Sequence, residues 1–140
     1  MKTRCFLGLI LIALISTAAS CIEKVQTAGQ WNDSIKLSTR KADLSASNDS
    51  IIITTKGSWW WVNDISVNGN YLVFNPLETE RENFAINGDW FSIERCDNQK
   101  LIVRVDENKS NQRRNIKITL ETGDYFDYID LTQTGRGEDN

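Results

Sequence analysis

Residues 114–135 read RNIKITLETGDYFDYIDLTQTG, and this stretch decides the fold. Ile116, Ile118 and Leu120 alternate with Lys117 and Thr119, a period of two that belongs to a pleated strand with one buried face. Gly123-Asp124 breaks the pattern with turn-forming residues. Tyr125–Thr134 then resumes it, with Ile129 and Leu131 opposite Tyr128, Asp130 and Thr132. Two alternating runs joined by a tight turn form an antiparallel hairpin. Ile116, Ile118, Leu120, Ile129 and Leu131 are its expected core residues.

The same grammar extends upstream. In Gln99–Asp106, Leu101, Val103 and Val105 face away from Ile102 and Arg104, and Asp97-Asn98 turns the chain back into a strand over Trp90–Arg95. Trp59–Val67 is a further run, followed by Asn68-Gly69, a hairpin signal because both residues tolerate positive φ, and by Tyr71–Phe74. Ser50–Lys56 holds the β-branched series Ile51 to Thr55. A first strand is expected over Ser34–Thr39, with a polar stretch from there to Asn48. The segment Asn75–Gly88 carries Pro76, Glu78, Glu80, Arg81 and Glu82 and reads as a solvated loop. No helix-period stripe and no internal repeat is present. Seven to eight strands over residues 34–135 predict an all-β fold, an immunoglobulin-like antiparallel β-sandwich, with residues 136–140 as a frayed tail.

Composition narrows the function. The chain has 140 residues, 40% apolar and 25% charged, which suits one globular domain. Its formal net charge is −3, so it lacks the basic balance that phosphate neutralisation needs, and no nucleic-acid partner is expected. It contains no histidine, which removes every His-based general base, triad and metal site. Glycine-rich phosphate loops and serine elbows are absent. Asp106-Glu107-Asn108 lacks the spaced Asp/Asn–Gly pattern of a calcium loop. The expectation is a non-catalytic protein without cofactor or metal.

The N-terminus reads as an export signal over residues 1–20. Lys2 and Arg4 precede an apolar run from Phe6 to Ile15, and residues 16–20 are Ser-Thr-Ala-Ala-Ser. That run is too short for a membrane span, which takes roughly 20 residues. Cys21 follows directly, and the arrangement resembles a bacterial lipoprotein signal, in which that cysteine is acylated and becomes the new N-terminus. Residues 21–33 would then be a lipidated tether, with Trp31 at the edge of the fold. The alternative is an ordinary signal peptide that leaves Cys21 free. With Cys5 removed and Cys21 lipidated, Cys96 stands alone and no internal disulfide forms.

Trp59, Trp60 and Trp61 are consecutive, so they cannot all enter one core face of a strand. A strand with one buried face turns either one or two of them outward. Three outcomes stay open: stacking on a sugar, cover by the Asn63–Gly88 insertion, or contact with a protein. Tyr128, opposite Ile129, is a further candidate for an exposed ligand-binding aromatic.

Residues 50–135 resemble the BACON domain, an immunoglobulin-like module of Bacteroidetes lipoproteins and polysaccharide-degrading proteins. The likeness rests on an Ile/Thr-rich strand leading to Ser58-Trp59-Trp60-Trp61-Val62, on Asp89-Trp90-Phe91-Ser92-Ile93, and on Leu101-Ile102-Val103-Arg104-Val105 with Asn108. It continues through Arg114-Asn115-Ile116-Lys117-Ile118 to Leu131-Thr132-Gln133-Thr134-Gly135, like the family's terminal Gln-x-Gly. The register implied by the resemblance buries Trp60 and Val62 and exposes Trp59 and Trp61. The insertion Asn63–Gly88 is longer than the family's usual spacing. The resemblance implies a cell-envelope lipoprotein, anchored in the outer membrane or at the cell surface (a periplasm-facing anchor stays open). Its partner would be a polysaccharide or oligosaccharide at Trp59, Trp61 and Tyr128. The alternative is a structural or protein–protein module that meets another envelope protein.

Overall fold

The computed structural model describes residues 32–138. The export segment, Cys21, the tether as far as Trp31, and Asp139 and Asn140 lie outside the described residues.

Nine strands form among the described residues: β1 (Lys41–Leu44), β2 (Asp49–Thr54), β3 (Trp61–Val67), β4 (Asn70–Tyr71), β5 (Phe84–Asn87), β6 (Phe91–Cys96), β7 (Lys100–Val105), β8 (Arg114–Thr122) and β9 (Tyr125–Gln133). They make two sheets, ordered β1-β9-β8-β3-β4 and β2-β7-β6-β5. The triplets β9-β8-β3 and β2-β7-β6 reproduce the G-F-C and B-E-D arrangements of an immunoglobulin-like sandwich. Every pairing is antiparallel except β1 with β9, which run parallel.

Alternation fixes which face is buried. In the β8–β9 hairpin, Ile116 lies opposite Leu131 and Ile118 opposite Ile129, and all four are buried. Leu120, Val62 and Ile65 complete that layer, and Ile53, Phe91, Ile93, Leu101, Val103 and Val105 form the facing one. A one-residue slip in either sheet would turn an entire aliphatic row to solvent, so the pattern holds the register.

Three stretches depart from the sequence reading. Residues 34–39 form no strand. Asp33 accepts the Lys36 N–H, and Lys36 takes φ +53, which breaks extension. Ile35 and Leu37 are nonetheless buried, and the strand falls within the stretch read as polar, at β1. Asn75–Gly88 is no solvated loop: Asn75 caps a 3-10 helix over Pro76–Glu80, and β5 follows as an edge strand. Thr79 explains why this insertion docks. Its buried hydroxyl accepts the Val62 N–H at 2.9 Å, beside the register shift between Val62 and Asp64 in β3. Third, Asn68 and Gly69 do turn β3 back at positive φ, but β4 ends at Tyr71 rather than Phe74.

Candidate functional site

The β2–β3 connection sets the geometry of the tryptophans. The Trp60 indole N–H reaches the Thr55 hydroxyl at 3.0 Å and the Gly57 carbonyl at 3.1 Å, and the ring is 2% exposed. Strand β3 begins only at Trp61, so Trp59 leaves the sheet before pairing starts. It is 88% exposed, and the insertion does not cover it. Trp61 is partly buried and Val62 fully buried. Trp59 and Trp61 share one open cleft of about 540 Å³ with Glu80, Glu82, Asn98, Thr122 and Gly123. These residues come from the β2–β3, β6–β7 and β8–β9 connections and from the end of the 3-10 helix. The cleft therefore occupies the end of the sandwich where immunoglobulin variable domains carry their B–C and F–G binding loops.

Arg95 organises that end, and the sequence reading did not single it out. It is 2% exposed and makes no ion pair among the described residues. Its guanidinium instead donates to the carbonyls of Ser58, Trp60, Thr79, Arg81 and Asn98, the closest at 2.6 Å. It also lies 3.7 Å from the Trp60 ring centre. Burial lowers its pKa to about 10 against the through-space support of Glu82, and it stays charged at neutral pH. Five carbonyls from three separate segments converge on one cation, and those segments carry Trp59, Trp61, Glu80, Glu82 and Asn98. The signal was present in parity: Arg95 follows Phe91 and Ile93 on the inward face of β6.

Tyr128 lies elsewhere. It sits on the outer face of the five-stranded sheet, in a shallow groove with Asn63, Asp64, Ser66, Tyr71, Lys117 and Phe126. Lys117 places its ammonium 4.8 Å from the Tyr128 ring centre. The two regions meet through the pairing register, in which Trp61 faces Glu121, Glu121 faces Phe126, and Thr119 faces both Asp64 and Tyr128.

The opposite end holds Trp90, Asn108, Arg114, Gln133 and Gly135 of the resemblance, joined there by hydrogen bonds and close packing. The Gln133 amide, 1% exposed, donates to the carbonyls of Ser45, Ser47 and Asp106, while its oxygen accepts from Arg114. Arg114 stacks 3.8 Å from the Trp90 ring centre, and buried Asn108 donates to Gln112 and Thr134. Asn108 and Arg114 are thus parts of one polar knot around the buried Gln133. Gly135 passes so close to the Asn111 backbone that a Cβ would stand 2.5 Å from it.

No protein-family model and no curated protein matches the chain. Solved structures do. Among them is an NMR structure of a protein from Bacteroides thetaiotaomicron, with a TM-score of 0.61 and 20% sequence identity over 78% of this chain and 93% of that one. At that identity the likeness is one of fold.

Proposed function

We propose that the chain is a BACON-like lipoprotein of the bacterial cell envelope, anchored through Cys21, and a non-catalytic glycan-binding module. The observation that carries the reading is the cleft: Trp59 outward and the partly buried Trp61 lining it, beside carboxylate and amide side chains. An aromatic ring offers a flat apolar face to the C–H side of a pyranose, and flanking polar groups take its hydroxyls. A shallow groove with this mixture suits a sugar better than a flat apolar patch does. Retention of the purified protein on immobilised polysaccharides tests the reading. Trp59→Ala and Trp61→Ala should each weaken retention by about 1–2 kcal/mol while leaving the fold intact. Unchanged retention in both variants, or none on any glycan by the wild type, would sink it. For the anchor, wild type should partition into the detergent phase and Cys21→Ala into the aqueous one.

A second reading is a structural or protein-binding module of the envelope. It draws on the outer sheet face, where Tyr71, Phe126 and Tyr128 are all exposed. Loss of an envelope partner from the Phe126→Ala/Tyr128→Ala double variant, with glycan retention unchanged, would favour it.

A further inference from the structure

We infer that the cleft sorts saccharides by charge, accepting chains of neutral or amine-bearing sugars and turning away uronates and sulfates; this rests on the glycan-binding reading above. The ionisable side chains lining the cleft are Glu80 and Glu82. Both are exposed, and neither pairs with a cation among the described residues. Arg81 stands between them in sequence but lines a different groove, with Leu72, Phe74 and Asn87. The chain thus sends two carboxylates into the cleft and the intervening guanidinium out of it.

The cation beneath the cleft offers no hydrogen bond to an anion, and the through-space pull of its charge is already met by Glu82. Arg95 is buried and its N–H groups are turned to backbone carbonyls. Recognition of a carboxylate or sulfate favours a guanidinium or an ammonium, and among the described residues no such side chain lines this cleft. The aromatic faces act in the same direction as the carboxylates. The negative face of an indole ring attracts an ammonium group and repels an anion, so Trp59, Trp61, Glu80 and Glu82 all discriminate with one sign. Lys117 belongs to the other groove, over Tyr128.

The test measures depletion of the purified protein by beads carrying hydroxyethyl cellulose, chitosan or pectate, at low and at high salt. Wild type should bind the neutral polymer, bind chitosan several-fold more tightly, and bind pectate on the order of tenfold more weakly at low salt. The spread should narrow as salt screens the carboxylates. Glu80→Gln/Glu82→Gln, an exposed double change that removes the charges but keeps a hydrogen-bonding amide at each position, should bring chitosan and pectate to within about twofold of the neutral polymer measured on the same variant. Trp59→Ala should reduce chitosan binding as well, which separates capture in the cleft from attraction to the acidic surface at large. Equal or tighter pectate binding by wild type, or a spread untouched by the double change, overturns the inference while the glycan reading stands. Binding to none of the three polymers overturns both.

Discussion

Arg95 is the residue on which the cleft depends, and its energetics run two ways. Burying a guanidinium without a carboxylate is costly, as its lowered pKa records. Six hydrogen bonds to five carbonyls, those of Trp60 and Thr79 in buried contacts, offset that cost. Arg95→Met should therefore destabilise the protein by about 3 kcal/mol or more in urea unfolding, because it strands those carbonyls. Arg95→Lys should recover little, since an ammonium has three donors and no planar fork. The tryptophans divide by the same logic. Trp60→Ala removes a buried ring and a hydrogen-bond donor and should cost about 3–5 kcal/mol. Trp59→Ala should change stability by less than about 0.5 kcal/mol, whatever it does to binding. The inward turn of Trp60 was implied by the family resemblance rather than by parity, which says only that three consecutive tryptophans cannot share one face. The acceptors of Arg95 were not legible, because residues 58, 60, 79, 81 and 98 come together only once both sheets are stacked.

At the scale of elements, legibility followed the strength of alternation. Strands β7, β8 and β9 were readable nearly residue by residue, because Leu101, Val103, Ile116, Ile118, Ile129 and Leu131 each point inward at strict period two. The N-terminal segment misled because Ile35 and Leu37 share that spacing yet sit on either side of a positive-φ residue. They plug the sandwich edge instead of joining a ladder: the Ile35 carbonyl accepts from Lys56 and Gly57, and the Ser38 N–H donates to Thr54. Strand β5 was hidden by its brevity and charged flank, and Glu80 and Glu82 with it, since nothing local says which groove a charged segment will line. The plug also gives a test. At Gly57 a Cβ would stand 2.1 Å from the Ser34 carbonyl oxygen, which is backbone and cannot swing aside. Gly57→Ala should push the plug off and destabilise the fold by more than about 1 kcal/mol. Amide exchange should quicken at Ser38 and Lys56 before it does in β8. Equal protection of those amides in the two proteins would contradict this account.

The whole molecule divides its polar interior between two ends, a knot around Gln133 that closes one and the Arg95 clamp that shapes the cleft at the other, with an aliphatic core between them. Its response to pH follows from what titrates. With no histidine in the chain, no side chain has an ordinary pKa near 6.5, so stability should stay nearly level from about pH 5 to 8. The acid limb has an identifiable contributor where the N-terminal segment is tied to the sandwich. Arg40 grips Asp127 of β9 through two hydrogen bonds, at 2.8 and 2.7 Å, and reaches Asp33 at 2.8 Å. Desolvation pushes the Asp33 carboxyl upward, but the Lys36 N–H and the Arg40 charge together outweigh it and hold the pKa below the usual carboxylate value. A carboxyl depressed in the folded state releases its proton there more readily than in the unfolded chain. The stability it contributes is therefore fully present above the unfolded value of about 3.9 and is lost as pH falls through the lower folded one. Unfolding midpoints in urea should drop below about pH 4, and Asp33→Asn should flatten that drop while leaving the plateau at neutral pH lower by a few tenths of a kcal/mol, the scale of a partly exposed pair. An acid limb equally steep in the variant would assign it to other carboxylates, and a step between pH 5 and 8 would contradict the plateau.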